Sequence, residues 1–190
     1  MRQLNRISLI LLMLTLLACG PDVPSSQGPR IAAQEIDWDT LIPLDWQPET
    51  LLEGFDLDEI EQLDDDDPRA IALMEQLLRL WAEAPVVDEL DGLMIRLPGF
   101  IVPLDLAAGR MSEFLLVPYY GACIHVPPPP ANQTIHVVLP AGQVYIGDLF
   151  DAVWVTGTLR VVRSSSELAE AGYQIDVVEI EPYLGEIEPL

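Results

Sequence analysis

The sequence predicts a mainly β (α+β) domain, and three observations support this fold class. Short runs rich in β-branched and aromatic residues recur between residues 93 and 180, with Gly, Ala and Ser turn signals between them. A segment before these runs has apolar residues at helical spacing. No internal repeat is visible. The fold that fits best is a small OB-like β-barrel with N-terminal helices, and a β-sandwich is the alternative.

Five or six strand segments are expected, with turn residues between them. Ala141-Gly142, Ser164-Ser165-Ser166 and Ala171-Gly172 mark turns, and Gly157 inside the longest run suggests a bulge. The predicted strands cover residues 93–97, which lead through Pro98-Gly99 to 100–102, and then 114–117, 134–139, 153–162 and 173–180.

A helix is expected after an acidic stretch at 56–67. Asp67 is a good N-cap, Pro68 a good first helical residue, and Pro85 ends the pattern. The acidic stretch lacks the spacing of a calcium loop, and its carboxylates favour the positive helix N-terminus. We expect the apolar stripe to pack in the core; it comprises Ile71, Met74, Leu77, Leu78 and Trp81.

The first residues have the pattern of a bacterial export signal. A basic region at 2–6 precedes an uncharged apolar run at 7–17, which is too short to span a bilayer, and Ala18-Cys19-Gly20 follows. Residues 1–18 are therefore predicted to be a cleaved signal peptide and Cys19 to be the lipidated first residue of the mature protein. By analogy with other lipoproteins of Gram-negative cells, Gly20 rather than Asp after the cysteine predicts the outer membrane, facing the periplasm, as the location.

The remaining chain divides into a tether and one domain. Residues 19–34 form a Pro-, Ser- and Gly-rich tether after the lipidated cysteine. Residues 35–190 form a single envelope domain, with a helical part at 48–84 and a β-rich part at 90–183. Residues 38–46 contain two tryptophans without a clear period, and we expect them to lie on the domain as an extended clasp.

The charge of the chain limits its partners. The formal net charge is −22 and the chain contains no lysine. Such a surface repels the phosphates of nucleic acid, so we expect no nucleic-acid partner, whereas a basic protein face or cations would be attracted. Attachment to a membrane is expected only through the lipid.

Cys123 and His125 are the candidates for chemistry. With Cys19 lipidated, Cys123 has no partner for a disulfide within the chain, and a lone thiol in an oxidising compartment needs an explanation. If both residues are extended, their side chains lie on one face and can share a metal ion, zinc first and copper second, with His136 as a third ligand.

Other interpretations of the same residues stay open. Cys123 packs as a small buried residue while His125 bonds to a carbonyl, or the thiol takes part in catalysis or in a mixed disulfide. No orienting third group and no known catalytic motif is evident, so we predict no enzymatic activity and no catalytic residues.

The same segment also suggests a docking surface. Four consecutive prolines adopt an extended polyproline II conformation, which predicts a stiff arm leaving the barrel. Aromatic anchors beside a rigid arm suit a partner protein, so a metal-free interaction module of the envelope is the alternative function. The predicted partner-binding residues are Tyr119, Tyr120, Pro127, Pro128, Pro129 and Pro130.

Three segments together resemble a family of proteobacterial lipoproteins catalogued as a domain of unknown function (DUF3299). They are RLPGFIVPL at 96–104, FLLVPYYGACIHVPPPPANQ at 114–133 and VWVTGTL at 153–159, and the likeness covers roughly 38–183. The resemblance implies a secreted lipoprotein without an established activity. It also implies an accessory role in metal handling or in an ABC-type envelope system, with an envelope protein or an ABC-type transporter as partner.

Overall fold

The computed structural model describes residues 32–47, 63–64, 66–105 and 109–185. The predicted signal peptide, Cys19, most of the tether and the 48–62 part of the predicted helical region lie outside the described residues. No helix among the described residues is long and apolar enough to cross a membrane. The regular elements, in chain order, are β1 (Gln34–Glu35), α1 (Pro68–Ala82), β2 (Met94–Pro103), β3 (Arg110–Met111), β4 (Glu113–Val117), β5 (Ile135–Val138), β6 (Tyr145–Ile146), β7 (Ala152–Arg160), β8 (Ser164–Ser165), β9 (Glu170–Ala171) and β10 (Tyr173–Pro182).

Five strands close into a barrel in the order β2-β4-β5-β10-β7, and β7 pairs again with β2. Closure depends on the length of β2, whose first part pairs with β7 from Met94 and whose last part pairs with β4 up to Pro103. Closing the sheet pairs its edges, which would otherwise present free backbone groups. The predicted OB-like barrel is therefore confirmed, and the sandwich alternative is wrong.

The barrel is filled by the inward-facing residues of these strands. Ile95, Leu97 and Ile101 on β2 have no exposed surface, and neither does Phe114 on β4. Because side chains alternate along a strand, buried and half-buried residues alternate over most of the length of β2. Pro98-Gly99, expected to join two runs, lies inside this single continuous strand.

Gly157 lies where two strands approach closely. The register between β7 and β10 shifts between Val177 and Glu179, so the bulge is in β10, opposite Gly157, rather than at Gly157 itself. A Cβ atom on Gly157 would lie 2.4 Å from the backbone oxygen of Asp176. The missing side chain therefore permits the close approach of β7 and β10 beside the bulge.

Residues 38–46, predicted to be an extended clasp, begin by packing against the barrel but are not extended throughout. Gln34, assigned to the end of the tether, already pairs with β2 as the first residue of β1. Trp38 is 5% exposed, and its indole Nε1 donates a hydrogen bond to the Pro98 oxygen at 2.8 Å. A single 3-10 turn, Asp39–Leu41, then places Leu41 in the core.

Helix α1 starts as predicted, but its apolar stripe is not part of the core. The Asp67 side chain accepts a hydrogen bond from the Arg69 N–H, and Pro68 is the first helical residue. Ile71 and Met74 are 46% and 44% exposed, and no residue of α1 is buried. The expected core packing is wrong because strand residues, together with Trp38, Leu41 and Leu90, form the main core and leave the helix outside it.

The helix is attached through its C-terminal end. The guanidinium group of Arg163 donates hydrogen bonds to the oxygens of Ala82 and Ala84 at 3.0 and 2.6 Å. Ala82 is the last residue of α1, so its carbonyl is one that the helix leaves without a partner, whereas Ala84 lies just beyond the C-cap. A cation at this end also opposes the negative end of the helix dipole.

Candidate functional site

The segment GACIHV forms a tight turn instead of an extended strand. The Gly121 oxygen accepts backbone hydrogen bonds from Ile124, His125 and Val126 at 3.3, 2.8 and 3.3 Å. Gly121 and Cys123 have φ values of +91° and +66°. The premise that Cys123 and His125 lie on one face of a strand is therefore wrong. We call residues 121–126 the motif turn.

The Cys123 side chain is half-buried against an apolar cluster that includes Val102, Leu115 and Ala122. Burial raises the pKa of the thiol to about 11. A thiolate is the form that binds metals and attacks electrophiles, and this site disfavours it. The environment of Cys123 is typical of a structural cysteine.

The two histidines have separate surroundings. His125 is exposed, and its ring centroid lies 5.9 Å from that of Phe150. His136 lies on β5, and its Nε2 is 3.0 Å from the Glu113 carboxylate. Within the described ranges, no three His, Cys, Asp or Glu side chains are close enough together to hold a metal ion. Zinc at Cys123, His125 and His136 stays a prediction.

An aromatic patch lies next to the motif turn. Tyr120 is 67% exposed, yet its ring packs 4.6 Å from Phe150 and 6.0 Å, edge-on, from Phe100. Tyr119 is half-buried, and burial raises its pKa. The predicted tyrosine pair therefore divides into one exposed and one packed residue.

Backbone strain is concentrated at the same place. Of the non-glycine residues described, only Cys123 and Phe150 have positive φ, at 66° and 63°. Both belong to the apolar cluster beneath the motif turn. Left-handed backbone costs about 1–3 kcal/mol in such residues and persists only where the surroundings hold it in place. The surface around Tyr120 is thus held by its packing.

The proline run lies along the protein instead of leaving it as an arm. Pro127 is exposed, Pro128 and Pro130 are half-buried, and Pro129 is buried. The hydroxyl of Thr134 donates a hydrogen bond to the Pro130 oxygen at 3.2 Å. The predicted free arm is wrong because one side of the run packs on the domain, so only Pro127 of the four is fully available to a partner.

Asn132 and Gln133, which follow the prolines, have a structural role that was not predicted from the sequence. Asn132 Nδ2 donates to the Pro85 oxygen, and Gln133 Nε2 donates to the Trp38 oxygen, both at 2.9 Å. Both side chains are buried. They tie the end of the motif to the connection after α1 and to the N-terminal segment. The signal was available, since two consecutive amides beside a tryptophan-containing clasp are candidates for buried hydrogen bonds.

Two clefts flank this region. One, of about 230 Å³, lies between the C-terminal turn of α1, Pro128-Pro129 and residues 166–170. The other, of about 480 Å³, is lined by Ile124 of the motif turn, by His136 and Glu113, and by residues 165–168. The motif turn therefore contributes directly to the wall of the larger cleft.

The chain is a closed five-stranded β-barrel in which residues 121–126 form a packed turn and the buried Asn132 and Gln133 hydrogen-bond to other segments. The chain matches the family model described as a protein of unknown function (DUF3299) over residues 38–182. It therefore belongs to the DUF3299 family.

A solved structure supports the same assignment. The chain is similar to a DUF3299 family protein from Pseudomonas aeruginosa PAO1 whose crystal structure is known at 2.45 Å resolution. The two share 41% sequence identity with a TM-score of 0.59, over 82% of this chain and 99% of that one. No curated protein matches the chain.

Proposed function

We propose that this chain is a lipid-anchored protein of the cell envelope whose barrel binds a partner protein, without metal, through the motif turn. The observation that carries the proposal is the exposure of Tyr120, Ile124 and Val126, at 67%, 44% and 46%. We call these three residues and the adjoining exposed Pro127 the partner surface. Neighbouring exposed apolar side chains on an ordered segment are typical of interaction sites.

The partner surface is held in shape before binding. Three backbone hydrogen bonds to the Gly121 oxygen fix the turn, and Phe150 supports the ring of Tyr120. A segment that is already ordered loses less conformational entropy on binding than a free loop, so more of the interaction energy contributes to affinity.

Charge indicates the kind of partner. With a net charge of −22 and no lysine, the chain attracts a protein with a basic rim around an apolar contact. The resemblance stated above favours an envelope protein, with an ABC-type transporter component as the first candidate. The lipid at Cys19 would hold the barrel at the membrane where such a partner lies.

Site-specific cross-linking in cells tests this proposal. A photo-reactive amino acid at position 120 of the full-length chain should give one discrete protein adduct, and the same probe at Val178, an exposed apolar residue of β10, should not. Ile124→Glu should abolish the adduct at position 120 because it places a charge in the apolar contact. The captured protein should carry a basic face.

The opposite results would overturn the proposal. Equal labelling from positions 120 and 178, or an adduct that survives Ile124→Glu, would show that the partner surface is not recognised. The thermal unfolding midpoint of each variant checks that the barrel remains folded.

Metal handling is a second candidate, and one observation favours it. Cys123 and His125 lie two residues apart in one tight turn, and His125 is exposed. Zinc there would have to displace the thiol proton and take its remaining ligands from outside the motif turn.

A further inference from the structure

Helix α1 presents apolar side chains that the described part of the chain leaves in water. Ile71 and Met74 are 46% and 44% exposed, and no residue of α1 is buried. Further along the apolar stripe, Leu78 and Trp81 line the smaller cleft together with Pro128-Pro129. The stripe therefore leads from the open surface of the helix into a cleft.

The smaller cleft is continuous with the partner surface. Pro128, half-buried in the cleft wall, directly follows the exposed Pro127 of that surface. An apolar track thus runs from the motif turn through the prolines to the helix. The volume of the cleft, about 230 Å³, is below the roughly 300–1,000 Å³ of small-molecule sites. It suits a single apolar side chain of a larger partner better than a free ligand.

We propose that the apolar stripe and the smaller cleft bind an amphipathic helix of the partner protein, with basic residues beside its apolar side. This inference rests on the proposed function, because the same partner contacts the partner surface. The backbone groups of α1 are bonded within the helix, so α1 has no edge on which an extended segment could pair as a strand. It offers a row of side chains at helical spacing, and such a row packs against a second helix.

The stripe also sets the length of the bound helix. Ile71 and Trp81 are roughly ten residues apart, which corresponds to about 15 Å along the helix axis. A partner helix of about three turns would cover this distance. Its apolar side chains would recur every three or four residues, and the largest would enter the cleft between Trp81 and Pro129.

The apolar contact carries the site, and charge selects its occupant. Glu167 and Glu170 are the charged residues of the cleft lining, and no described cation pairs with either. The Ser165 hydroxyl donates to Glu170, which orients the carboxylate and leaves its charge. Arg163, at the end of α1, is bonded to backbone oxygens instead. A net charge of −22 favours a basic helix over a second copy of this chain or an anionic lipid surface.

The test is a photo-reactive amino acid at position 74 of the full-length chain in cells. It should capture the same protein as position 120, and mass spectrometry of the adduct should place the attachment site in a helix with basic residues beside its apolar side. The same probe at Gln76, exposed on α1 but about 200° around the helix, should give no adduct. Ile71→Glu should abolish the adduct at position 74, and Ala72→Glu, at an exposed position off the stripe, should leave it unchanged.

A second pair of variants tests the charge. Glu167→Gln should lower the yield of the adduct at position 74 by about two- to fivefold, as expected for one exposed charge pair. Glu179→Gln, the same change at an exposed position of β10, should leave the yield unchanged. The thermal unfolding midpoint should stay close to that of the wild type in each variant, because none of the changed side chains is buried. Equal yields in the two Gln variants would contradict a basic occupant.

Other occupants of the stripe would overturn the inference. They are a second copy of this chain, a segment of the same chain and a lipid, which would give a homodimeric adduct, an internal cross-link and a lipid adduct. Equal labelling from positions 74 and 76, or an adduct that survives Ile71→Glu, would show that the stripe is not recognised. An adduct at position 120 with none at 74 would remove this inference and leave the proposed function, whereas the absence of both adducts would remove both.

Discussion

The hydroxyl of Tyr173 joins three parts of the chain, and its removal tests how the barrel holds its N-terminal segments. Tyr173 has no exposed surface. Its hydroxyl donates to the Leu41 oxygen at 2.8 Å and accepts from the Val87 N–H at 2.7 Å. One oxygen atom thus connects β10 to the N-terminal segment and to the link between α1 and β2.

The expected cost of Tyr173→Phe follows from these two bonds. The ring keeps its shape, so the cavity left is small, but the Leu41 oxygen stays buried without this partner, which costs about 1–3 kcal/mol. The Val87 N–H is only part-buried and loses about 0.5–1.5 kcal/mol. The free energy of unfolding should fall by about 2–4 kcal/mol, and the melting temperature by roughly 5–12 °C.

Urea unfolding followed by tryptophan fluorescence measures this cost, because Trp38 is buried beside the affected segment. Tyr120→Phe is the matched control, since it removes the same atom from a 67% exposed residue and should change stability by less than about 0.5 kcal/mol. A Tyr173→Phe barrel as stable as the control would refute the assignment of Tyr173 as the connection between these segments.

Four further predictions concern other parts of the chain. Burial raises the pKa of Cys123 to about 11. Iodoacetamide at pH 8 should therefore modify Cys123 about a hundredfold more slowly than a thiol of pKa 9.0. A modification rate equal to that of a free thiol would contradict the raised pKa. Gly157→Ala should lower the free energy of unfolding by more than about 2 kcal/mol because the new Cβ meets backbone atoms of β10. Gly142→Ala, at φ +84° in open space, should lower it by about 1 kcal/mol. Equal losses in urea unfolding would argue against the close approach at Gly157. Cys19→Ser should move the protein from the membrane to the soluble fraction, and a variant that still sediments with membranes would disprove the lipid anchor. If Cys123 and His125 bind zinc, mass spectrometry of the reduced protein should find it near one-to-one and find it lost in Cys123→Ser and His125→Ala, whereas metal-free wild type would rule out that site.

The barrel was predictable because its signals are local and numerous. The strand segments at 114–117 and 153–162 correspond to β4 and β7 within a few residues, since β-branched residues and turn glycines mark them. The short strands β3, β6, β8 and β9 were not predicted. Each covers two residues and owes its pairing to the partner segment rather than to its own sequence, as at Ser164-Ser165, which were expected to be a turn.

The position of α1 could not be obtained from its periodicity. Ile71, Met74 and Leu78 have the spacing of a buried face, but spacing says only that a face is apolar, not what covers it. Whether a helix enters the core depends on how much volume the strands leave, which is a property of the closed barrel.

The geometric premise of the candidate metal site, an extended backbone at Cys123 and His125, was wrong for a similar reason. Two side chains two residues apart share a face only if the backbone is extended. Gly121 closes the turn and places Cys123 at positive φ, so the separation of the thiol and the imidazole is set by a conformation that residue types in GACIH do not reveal.

Residues 121–133 divide into those with a role in folding and those without one. Gly121 shapes the turn, while Asn132 and Gln133 bind other segments through buried amides, so the fold itself accounts for these three. Burial does not account for Ile124 or Val126, because each leaves almost half of an apolar side chain in water, which folding alone does not favour. The exposed apolar side chains, Ile124 and Val126, are therefore the part of this segment that a binding function must explain.

Charged substitutions at Ile124 or Val126 should abolish partner capture while leaving the unfolding midpoint close to that of the wild type. A large loss of stability in Ile124→Glu would instead assign that residue to the fold.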